Sequence, residues 1–207
     1  MDIRPQVLGA SGLKEVYNKE LRKAFPCSEL VPLSVLELQR EHGVYDVIEF
    51  DCETEKLGYA LLWWHSSRKF AVLDYFCVPQ GKRNAGIGGK LLDALRKSYP
   101  DIVFICELDA PTGDFDRDTI SRRRIGFYKR NGSVDLSYEC SFKGVRYKCI
   151  YFAACSHSES DILQKHREIY SESFVLSSCF KAVRLPFRQL HYCLPLSYRH
   201  DICPIAE

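Results

Sequence analysis

The sequence has little net charge and no long apolar run, and each absence excludes a class of protein. Its 29 lysines and arginines against 27 aspartates and glutamates give a formal charge of +2, without the basic excess that nucleic acid binding uses. No apolar run approaches the roughly 20 residues that a membrane-spanning helix needs. The first residues, MDIRPQVLGA, lack the layout of a signal peptide. We therefore expect a cytoplasmic protein with neither nucleic acid nor membrane as a partner.

The ten cysteines lack the spacing of a metal or redox site. No two of them stand as CxxC, and no group of Cys and His has the spacing of zinc ligands. Cys77, Cys106 and Cys149 lie inside strand-like runs, where a free cysteine behaves as a small buried hydrophobe. We therefore expect buried thiols, with no disulfide framework and no bound metal.

The order of predicted elements indicates an α/β domain. A short strand over residues 3–8 precedes two helices, three strands, a helix, a strand, a further helix and two more strands. The connection from FAVLDYFCV (70–78) through one helix to IVFICEL (102–108) predicts two parallel strands. IVFICEL is nearly all apolar, as in a strand that is buried on both faces. The pattern predicts a mixed sheet with helices on both faces.

The character of the chain changes near residue 155. A predicted helix at ESDILQKHREIYSESF (159–174) is followed by an irregular segment with three prolines. We expect a first domain over 1–154 and a C-terminal helical and irregular extension over 155–207. The extension cannot build a core of its own, so its aromatic residues are expected to pack on the first domain or on a partner subunit. These residues are Phe174, Phe180, Phe187 and Tyr192.

The most informative stretch joins a predicted strand to a helix. In LDYFCVPQGKRNAGIGGKLLDAL (73–95), three glycines fall within four residues. Glycines let the backbone approach a ligand and the first amides of a helix lack internal partners, which together predict a bound phosphate. The register does not fit a dinucleotide-binding fingerprint or a P-loop. RNAGIG (83–88) instead fits a third phosphate-binding pattern, Arg/Gln-x-x-Gly-x-Gly/Ala. For these residues alone, the alternative to phosphate binding is a tight turn that begins a helix.

Two further stretches accompany this loop in the order of a known family. RIGFYKRNG (124–132) places a Phe-Tyr pair before Asn-Gly, and VFICELDAP (103–111) is a strand between that helix and the loop. Together with RNAGIG they resemble the signatures of the GNAT acetyltransferases, over about residues 1–154. The resemblance implies a centrally splayed sheet, acetyl-CoA as the co-substrate and no metal.

The resemblance also implies where acetyl-CoA binds. Its pyrophosphate would lie on the backbone amides from Arg83 to Gly89, and its pantetheine arm would pair with the end of the preceding strand. In the family a bulge splays that strand from its neighbour, and Pro79 here matches the end of regular pairing. The acetyl group would project into the gap between FAVLDYFCV and IVFICEL. The expected coenzyme-binding residues are Phe76, Cys77, Val78, Arg83, Asn84, Ala85, Gly86, Ile87, Gly88 and Gly89.

The catalytic residues are likewise implied by the resemblance. Tyr128 occupies the position of the general acid that protonates the leaving thiolate, and a backbone amide at or near Phe76 would bind the carbonyl oxygen. Glu107 resembles the glutamate that some relatives use as a base through water. Asp74 is an alternative base or a ligand of the amine, and the base stays open between the two. The structural alternatives are salt-bridged carboxylates and a Tyr128 that only packs against coenzyme.

An acidic loop, CELDAPTGDFDRD (106–118), follows the predicted central strand. Its carboxylates, including Asp109, together with Asp74 predict a cationic acceptor: a small amine or polyamine, an amino sugar or a basic peptide terminus. The alternative is that the aspartates only stabilise the following helix N-terminus. The sequence thus predicts direct transfer of an acetyl group from acetyl-CoA to a primary amine. A non-catalytic acyl-CoA-binding or sensing module is the alternative, and a homodimer is left open.

Overall fold

One mixed sheet organises the computed structural model, which describes residues 2–27, 29–53, 55–142, 144–172 and 183–184. Within these residues the sheet has eight strands. They are β1 (Arg4–Val7), β2 (Tyr45–Cys52), β3 (Glu55–Trp64), β4 (Phe70–Cys77), β5 (Val103–Asp109), β6 (Val134–Phe142), β7 (Val145–Phe152) and β8 (Val183–Arg184). Their order is β1-β2-β3-β4-β5-β7-β6-β8, and β4 and β5 are the parallel pair, as expected.

The helices alternate with these strands as the sequence predicts, with one difference in length. They are α1 (Ala10–Val16), α2 (Arg22–Ala24), α3 (Leu33–Glu41), α4 (Ile87–Ser98), α5 (Phe115–Arg130) and α6 (Glu159–Glu172), with a π-helical turn (Tyr17–Leu21) between α1 and α2. The stretch TISRRRIGFYKRNG (119–132) predicts a helix from Thr119, whereas α5 begins about one turn earlier, at Phe115. Gly132 follows it with a φ of +86°, which is the left-handed conformation of a helix C-cap.

The sheet separates two apolar cores. On one side, which we call the α6 face, strand residues pack against Leu13 of α1, Leu36 of α3 and Ile162 of α6. On the other side, the α4 face, they pack against Leu91 of α4 and Tyr128 of α5. Because successive strand residues point to opposite faces, each strand supplies both cores. The expected mixed sheet with helices on both faces is therefore confirmed.

A bulge in β4 lies at Asp74. Leu73 and Tyr75 pair with adjacent residues of β3, Leu62 and Leu61, so Asp74 is the extra residue of the pair of strands. A bulge shifts the alternation of side chains by one residue. Before the bulge the even-numbered side chains of β4 lie on the α6 face, whereas after it the even-numbered side chains lie on the α4 face.

The same strand separates from β5 beside this bulge. Phe70–Val72 pairs with Val103–Ile105, and beyond Val72 the described residues give β4 no further partner on that side. β5 continues to pair with β7 as far as Asp109. The sheet therefore splays at its centre, as expected, and a gap opens between the two parallel strands.

The expected C-terminal extension is described over residues 155–172 and 183–184. α6 enters the core of the α6 face through Ile162 and Ile169, and β8 pairs with the end of β6. Phe174, Phe180, Phe187 and Tyr192 lie outside the described residues, so their packing and the division of the chain at residue 155 stay predictions. None of the described helices combines the length and the apolar character that crossing a membrane requires.

Candidate active site

A cavity of about 1080 Å³ opens where β4 separates from β5. Gly86, Phe127 and Tyr128 line it from the α4 face, and Asp74 and Tyr170 line it from the α6 face. The cavity therefore passes between the two strands and joins both sides of the sheet. Its volume is at the upper end of the range for sites that bind small molecules and cofactors.

The glycine loop forms the α4 end of this cavity. Gly86 precedes α4 with a φ of +71°, a conformation that L-residues rarely adopt. A β-carbon at Gly88 would lie 3.1 Å from the ring of Phe127, and one at Gly89 would lie 2.7 Å from Oδ1 of Asn131. The glycines thus turn the chain into α4 and also allow α4 to approach the end of α5. Close packing of α4 on the end of α5 therefore requires glycine here, in addition to the phosphate contact that the sequence predicts.

Basic side chains surround the loop. Nε of Arg83 donates a hydrogen bond to the carbonyl of Val78, 2.9 Å away, and Arg123 donates one to the side chain of Asn84. Guanidinium groups are well suited to phosphate. Lys82 is bound instead to Glu55 of β3. The arginines that line the cavity are Arg83, Arg123, Arg124 and Arg130.

Most of the expected coenzyme-binding residues line the cavity. Phe76 does so and stacks on Phe127 with an interplanar angle of 21° and a centroid distance of 6.3 Å. Cys77 does not, because its side chain is buried in the core of the α6 face, and Ala85 is exposed outside the cavity. Those that line the cavity are Phe76, Val78, Arg83, Asn84, Gly86, Ile87, Gly88 and Gly89.

Asp74 lines the cavity from the bulge in β4. Tyr45 donates a hydrogen bond to its Oδ2, and no other described residue hydrogen-bonds the carboxylate. Burial raises the pKa of Asp74 to about 7, the Tyr45 hydrogen bond opposing this rise and the nearby charge of Glu107 adding to it. Asp74 therefore exchanges a proton near neutral pH.

Glu107 lines the same cavity from β5 and accepts several contacts. Its Oε1 lies 3.0 Å from Nε2 of His166 and 3.1 Å from Sγ of Cys140, and its Oε2 accepts a 2.9 Å hydrogen bond from the hydroxyl of Tyr170. Burial raises the pKa of Glu107, but the contacts with His166, Cys140 and Tyr170 outweigh burial and lower it. Glu107 is therefore ionised at the pH of about 7 at which Asp74 gains or loses its proton.

Tyr128 lies on the α4 face, on the opposite side of the sheet from Glu107. Its ring contacts Phe127 at 5.1 Å and Phe152 at 6.0 Å between centroids. Burial raises the pKa of its hydroxyl, as does the neighbouring Cys106, while Arg124 opposes the rise. The phenol therefore keeps its proton at neutral pH. The gap between β4 and β5 joins its side of the cavity to that of the two carboxylates.

The acidic loop is largely engaged in structural contacts. Asp109 forms an ion pair with Arg124 at 3.0 Å. Asp118 accepts hydrogen bonds from the backbone N–H groups of Thr112 and Gly113, at 2.6 and 3.0 Å. These contacts fix the loop before α5 and extend the helix towards Phe115. The contacts of Asp118 therefore favour a structural role at the start of α5 over recruitment of a cationic acceptor.

Sequence reasoning missed three residues of the site: Tyr45, His166 and Tyr170. The first hydrogen-bonds Asp74, and the other two reach Glu107 from α6. One signal for the α6 pair is present in the sequence, because His166 and Tyr170 are four residues apart and share a face with Ile162 and Ile169. Tyr45 has no comparable signal, since its partner comes from another strand.

A group with metal-ligand chemistry lies where the C-terminal half of α6 meets the end of β3. Nε2 of His65 is 2.8 Å from Glu168 and 3.6 Å from Glu172. Nδ1 of His65 accepts the backbone N–H of Ser67, so Nε2 carries the proton and donates to Glu168. Lys165 also binds Glu168, at 2.7 Å. This group does not fit a metal ion, and it fastens α6 to the turn between β3 and β4.

Comparison with known proteins begins with the sequence. No protein-family model matches the chain. Over 161 residues the chain is 23% identical to YjbC of Bacillus subtilis (strain 168), whose name gives acetyltransferase as a provisional assignment. The match covers 73% of this chain and 78% of that protein.

Solved structures have the same architecture. A provisionally assigned GNAT-family acetyltransferase from Bacteroides thetaiotaomicron has a TM-score of 0.63 at 19% identity, covering 79% of this chain and 94% of that one. An aminoglycoside 6'-N-acetyltransferase complexed with coenzyme A has a TM-score of 0.56 at 13% identity, covering 76% of this chain and 99% of that one. The chain has the GNAT fold, so the fold expected from the resemblance of its motifs is confirmed.

Proposed function

We propose that this GNAT-fold protein is an N-acetyltransferase that moves an acetyl group from acetyl-CoA directly to a primary amine. The observation that carries the proposal is the cavity between β4 and β5. It joins a glycine loop at the N-terminus of α4 to a carboxylate, Asp74, whose pKa is about 7. A loop suited to bind phosphate and a carboxylate suited to take up a proton thus line one cavity.

The α4 side of the cavity fits coenzyme A. The first amides of α4 and the arginines around them suit its phosphates, with Gly86 providing the turn. The unpaired edge of β4 beyond Val72 offers backbone groups to an extended arm. When bound, acetyl-CoA supplies the thioester carbonyl that the amine attacks.

The α6 side of the cavity fits a cationic acceptor. Asp74 and Glu107 lie among aromatic residues there, and Trp63 meets Tyr170 edge to face with 4.7 Å between ring centroids. Aromatic rings and carboxylates in a confined space favour an ammonium group through cation–π and ionic attraction. The aromatic residues that line this side are Phe25, Trp63, Tyr75, Tyr147 and Tyr170. The acceptor is therefore a cationic small molecule or a basic peptide terminus.

Asp74 is the residue that we assign as the base. Its pKa of about 7 is near the optimum for proton uptake at neutral pH. Glu107 holds a lowered pKa and three polar contacts, so it is a weaker proton acceptor. Asp74 takes the proton from the ammonium group, and the free amine forms the C–N bond as the C–S bond breaks. Tyr128 donates its phenolic proton to the departing sulfur.

Release of the coenzyme thiol from acetyl-CoA, measured across a panel of amines, tests this function. We expect release that depends on the amine and is fastest with cationic acceptors, and mass spectrometry should find the acetylated amine in equal amount. Tight coenzyme binding without turnover on any amine would instead support the non-catalytic binding module. Absence of coenzyme binding would contradict both functions.

A further inference from the structure

The C-terminal helix α6 reaches the strand that lines the cavity. His166 and Tyr170 lie one helical turn apart, and both contact the carboxylate of Glu107 on β5. Nε2 of His166 is 3.0 Å from Oε1, and the hydroxyl of Tyr170 is 2.9 Å from Oε2. Each carboxylate oxygen of Glu107 therefore has a partner from α6, although α6 follows the last long strand, β7, in the sequence.

The orientation of His166 is fixed on both sides of its ring. The side chain is completely buried. Nδ1 lies 3.1 Å from the hydroxyl of Tyr138 on β6, and Nε2 lies within ion-pair distance of Glu107 without aligned hydrogen-bond geometry. The ring also contacts that of Tyr170, with 5.5 Å between centroids. A buried imidazole that is held in this way keeps Glu107 in one orientation.

The helix itself is fastened at both ends of this contact. Ile162 and Ile169 are buried in the core of the α6 face. Glu168 binds His65, and Glu172 accepts hydrogen bonds from Ser66 in the turn after β3. The position of the pair that reaches Glu107 is therefore set by packing and polar contacts along α6.

Asp74 and Glu107 are electrically coupled. The charge of ionised Glu107 contributes to the raised pKa of Asp74, and the contacts from α6 contribute to the ionisation of Glu107. Burial raises the pKa of the surrounding tyrosines, so they stay neutral near pH 7. The titratable groups around the two carboxylates on the α6 side are Glu29, Tyr45, Tyr75, Tyr138, Cys140, Tyr147, Cys149, His166 and Tyr170. Cys106 is next to Glu107 in β5 but lies on the α4 face.

We propose that α6 is part of the acetyl transfer site and that His166 is a positioning residue, which holds Glu107 ionised and oriented beside Asp74. This rests on the proposed function for Asp74. In this arrangement Glu107 does not touch the transferred proton. It sets the affinity of Asp74 for that proton, and His166 acts through Glu107.

The pH dependence of turnover tests the proposal. In His166→Leu, Glu107 loses its imidazole partner and takes up a proton, so Asp74 no longer faces a neighbouring charge. We expect the acid limb of kcat/KM to move to lower pH by about one unit, which is the lower end of the effect of a nearby charge. His166→Gln, which keeps an N–H donor, should lie between the parent and His166→Leu. In a Glu107→Gln background, His166→Leu should produce no further shift.

Two further variants protect the test against simple misfolding. Tyr170→Phe keeps the ring against Trp63 and removes only the hydroxyl that binds Glu107, so it should shift the limb in the same direction but less. Ser171→Ala removes an exposed hydroxyl of α6 that bonds only the helix's own backbone carbonyl at Glu168, so its pH profile should match the parent. Unchanged profiles in both His166→Leu and Tyr170→Phe would overturn the proposal while leaving the proposed function intact.

A readout without turnover separates this inference from the function. Carbon-13 NMR of the side-chain carboxyl groups, in protein without acceptor or coenzyme, should show two coupled titrations in the parent. His166→Leu should raise the pKa of Glu107 and lower that of Asp74. If the parent transfers no acetyl group to any amine, the proposed function fails, and the NMR titration alone decides whether His166 sets the charge of Glu107. Identical titrations in parent and variant would refute it.

Discussion

The hydroxyl of Tyr45 donates a hydrogen bond to Oδ2 of Asp74, 2.5 Å away, at the bulge where β4 leaves β5. A hydrogen bond to the charged form of an acid lowers its pKa. Burial and the charge of Glu107 act in the opposite direction and leave the pKa of Asp74 near 7. The Tyr45 hydrogen bond favours the carboxylate, whereas burial and the charge of Glu107 favour the acid. The hydrogen bond and the charge can each be removed by one substitution.

We predict that the acid limb of kcat/KM reports Asp74. A base acts only when it is deprotonated, so activity should rise as pH increases through about 7. Tyr45→Phe removes the hydrogen bond that favours the carboxylate and should move the limb to higher pH. Glu107→Gln removes the neighbouring charge and should move it to lower pH. Asp74→Asn should lower turnover by about 10²-fold or more and abolish the limb.

The matched control for these variants is Asp109→Asn, because Asp109 is already paired with Arg124. It should keep the acid limb of the parent. The ionisation of the acceptor amine is the same in every measurement, so differences between variants report the protein. If Asp74→Asn kept the full rate and the same limb, the base would have to be another residue.

The geometry of the glycine loop should matter more for coenzyme binding than its charge. Gly86→Val imposes a β-carbon on a left-handed residue, at a cost of about 1–2 kcal/mol. Gly88→Val pushes against the ring of Phe127. Both should abolish measurable binding of acetyl-CoA in calorimetry, whereas Lys82→Ala should only weaken it, since Lys82 is bound to Glu55.

The control for the loop variants is Gly81→Val. A β-carbon there meets no atom within 4 Å, and the backbone of Gly81 is not left-handed. This variant should bind acetyl-CoA as the parent does. Circular dichroism establishes whether each variant is folded. A folded Gly86→Val protein with normal affinity would refute the phosphate site.

The features that the sequence predicted are mainly local. The glycine loop and the start of α4 follow from Gly86 and its neighbours, because a left-handed turn and a helix start depend on adjacent residues. The splayed sheet was predicted by resemblance of motifs. The same resemblance implied a bulge in β4, but no glycine or proline marks its position at Asp74, and the His166–Glu107 contact joins residues far apart in the chain. Such features depend on tertiary packing, which periodicity does not report.

Tyr128→Phe should lower kcat by about 10²-fold or more and leave the KM for acetyl-CoA nearly unchanged. The reason is that proton donation to sulfur occurs in the chemical step, while the ring contacts with Phe127 and Phe152 are retained. Tyr99→Phe is the control, because Tyr99 contacts Trp64 and Phe104 away from the cavity. Equal kcat values for the two variants would leave Tyr128 as a packing residue.

The acceptor should be recognised through Trp63. Trp63→Leu removes an aromatic ring from the α6 side of the cavity and should raise the KM of a cationic acceptor about tenfold, as expected for loss of a desolvated cation–π contact. The neighbouring Trp64 lies on the α4 face, so Trp64→Leu should leave that KM unchanged. A neutral competitor of the same shape as the cationic acceptor should bind more weakly to the parent.

The exposed aspartates of the acidic loop give a separate comparison. Asp114→Asn/Asp116→Asn should change the salt dependence of the acceptor KM only if the loop steers cations over a distance. We expect little change, because Asp74 and Glu107, the carboxylates beside the gap, come from β4 and β5 and not from the exposed loop. A flatter salt dependence in the double variant would assign recruitment of the acceptor to the loop.

Docking of α6 should contribute measurably to stability. Ile162 is completely buried between α6 and the sheet. Ile162→Ala leaves a cavity and should lower the free energy of unfolding by about 2–5 kcal/mol. Ile120→Ala is the matched control, since Ile120 is 57% exposed and its loss should cost less than about 0.5 kcal/mol. Urea unfolding measures the free energy of unfolding of both variants.

The α6 amides should exchange hydrogen slowly in the parent and faster in Ile162→Ala, in which the helix is less stably docked. Because Ile162 lies one turn before His166, loosening the helix should also move the acid limb of kcat/KM in the direction of His166→Leu. Unchanged stability in Ile162→Ala, with rapid exchange along α6 in the parent, would mean that the helix is not held on the sheet and that its contacts with Glu107 do not persist in solution.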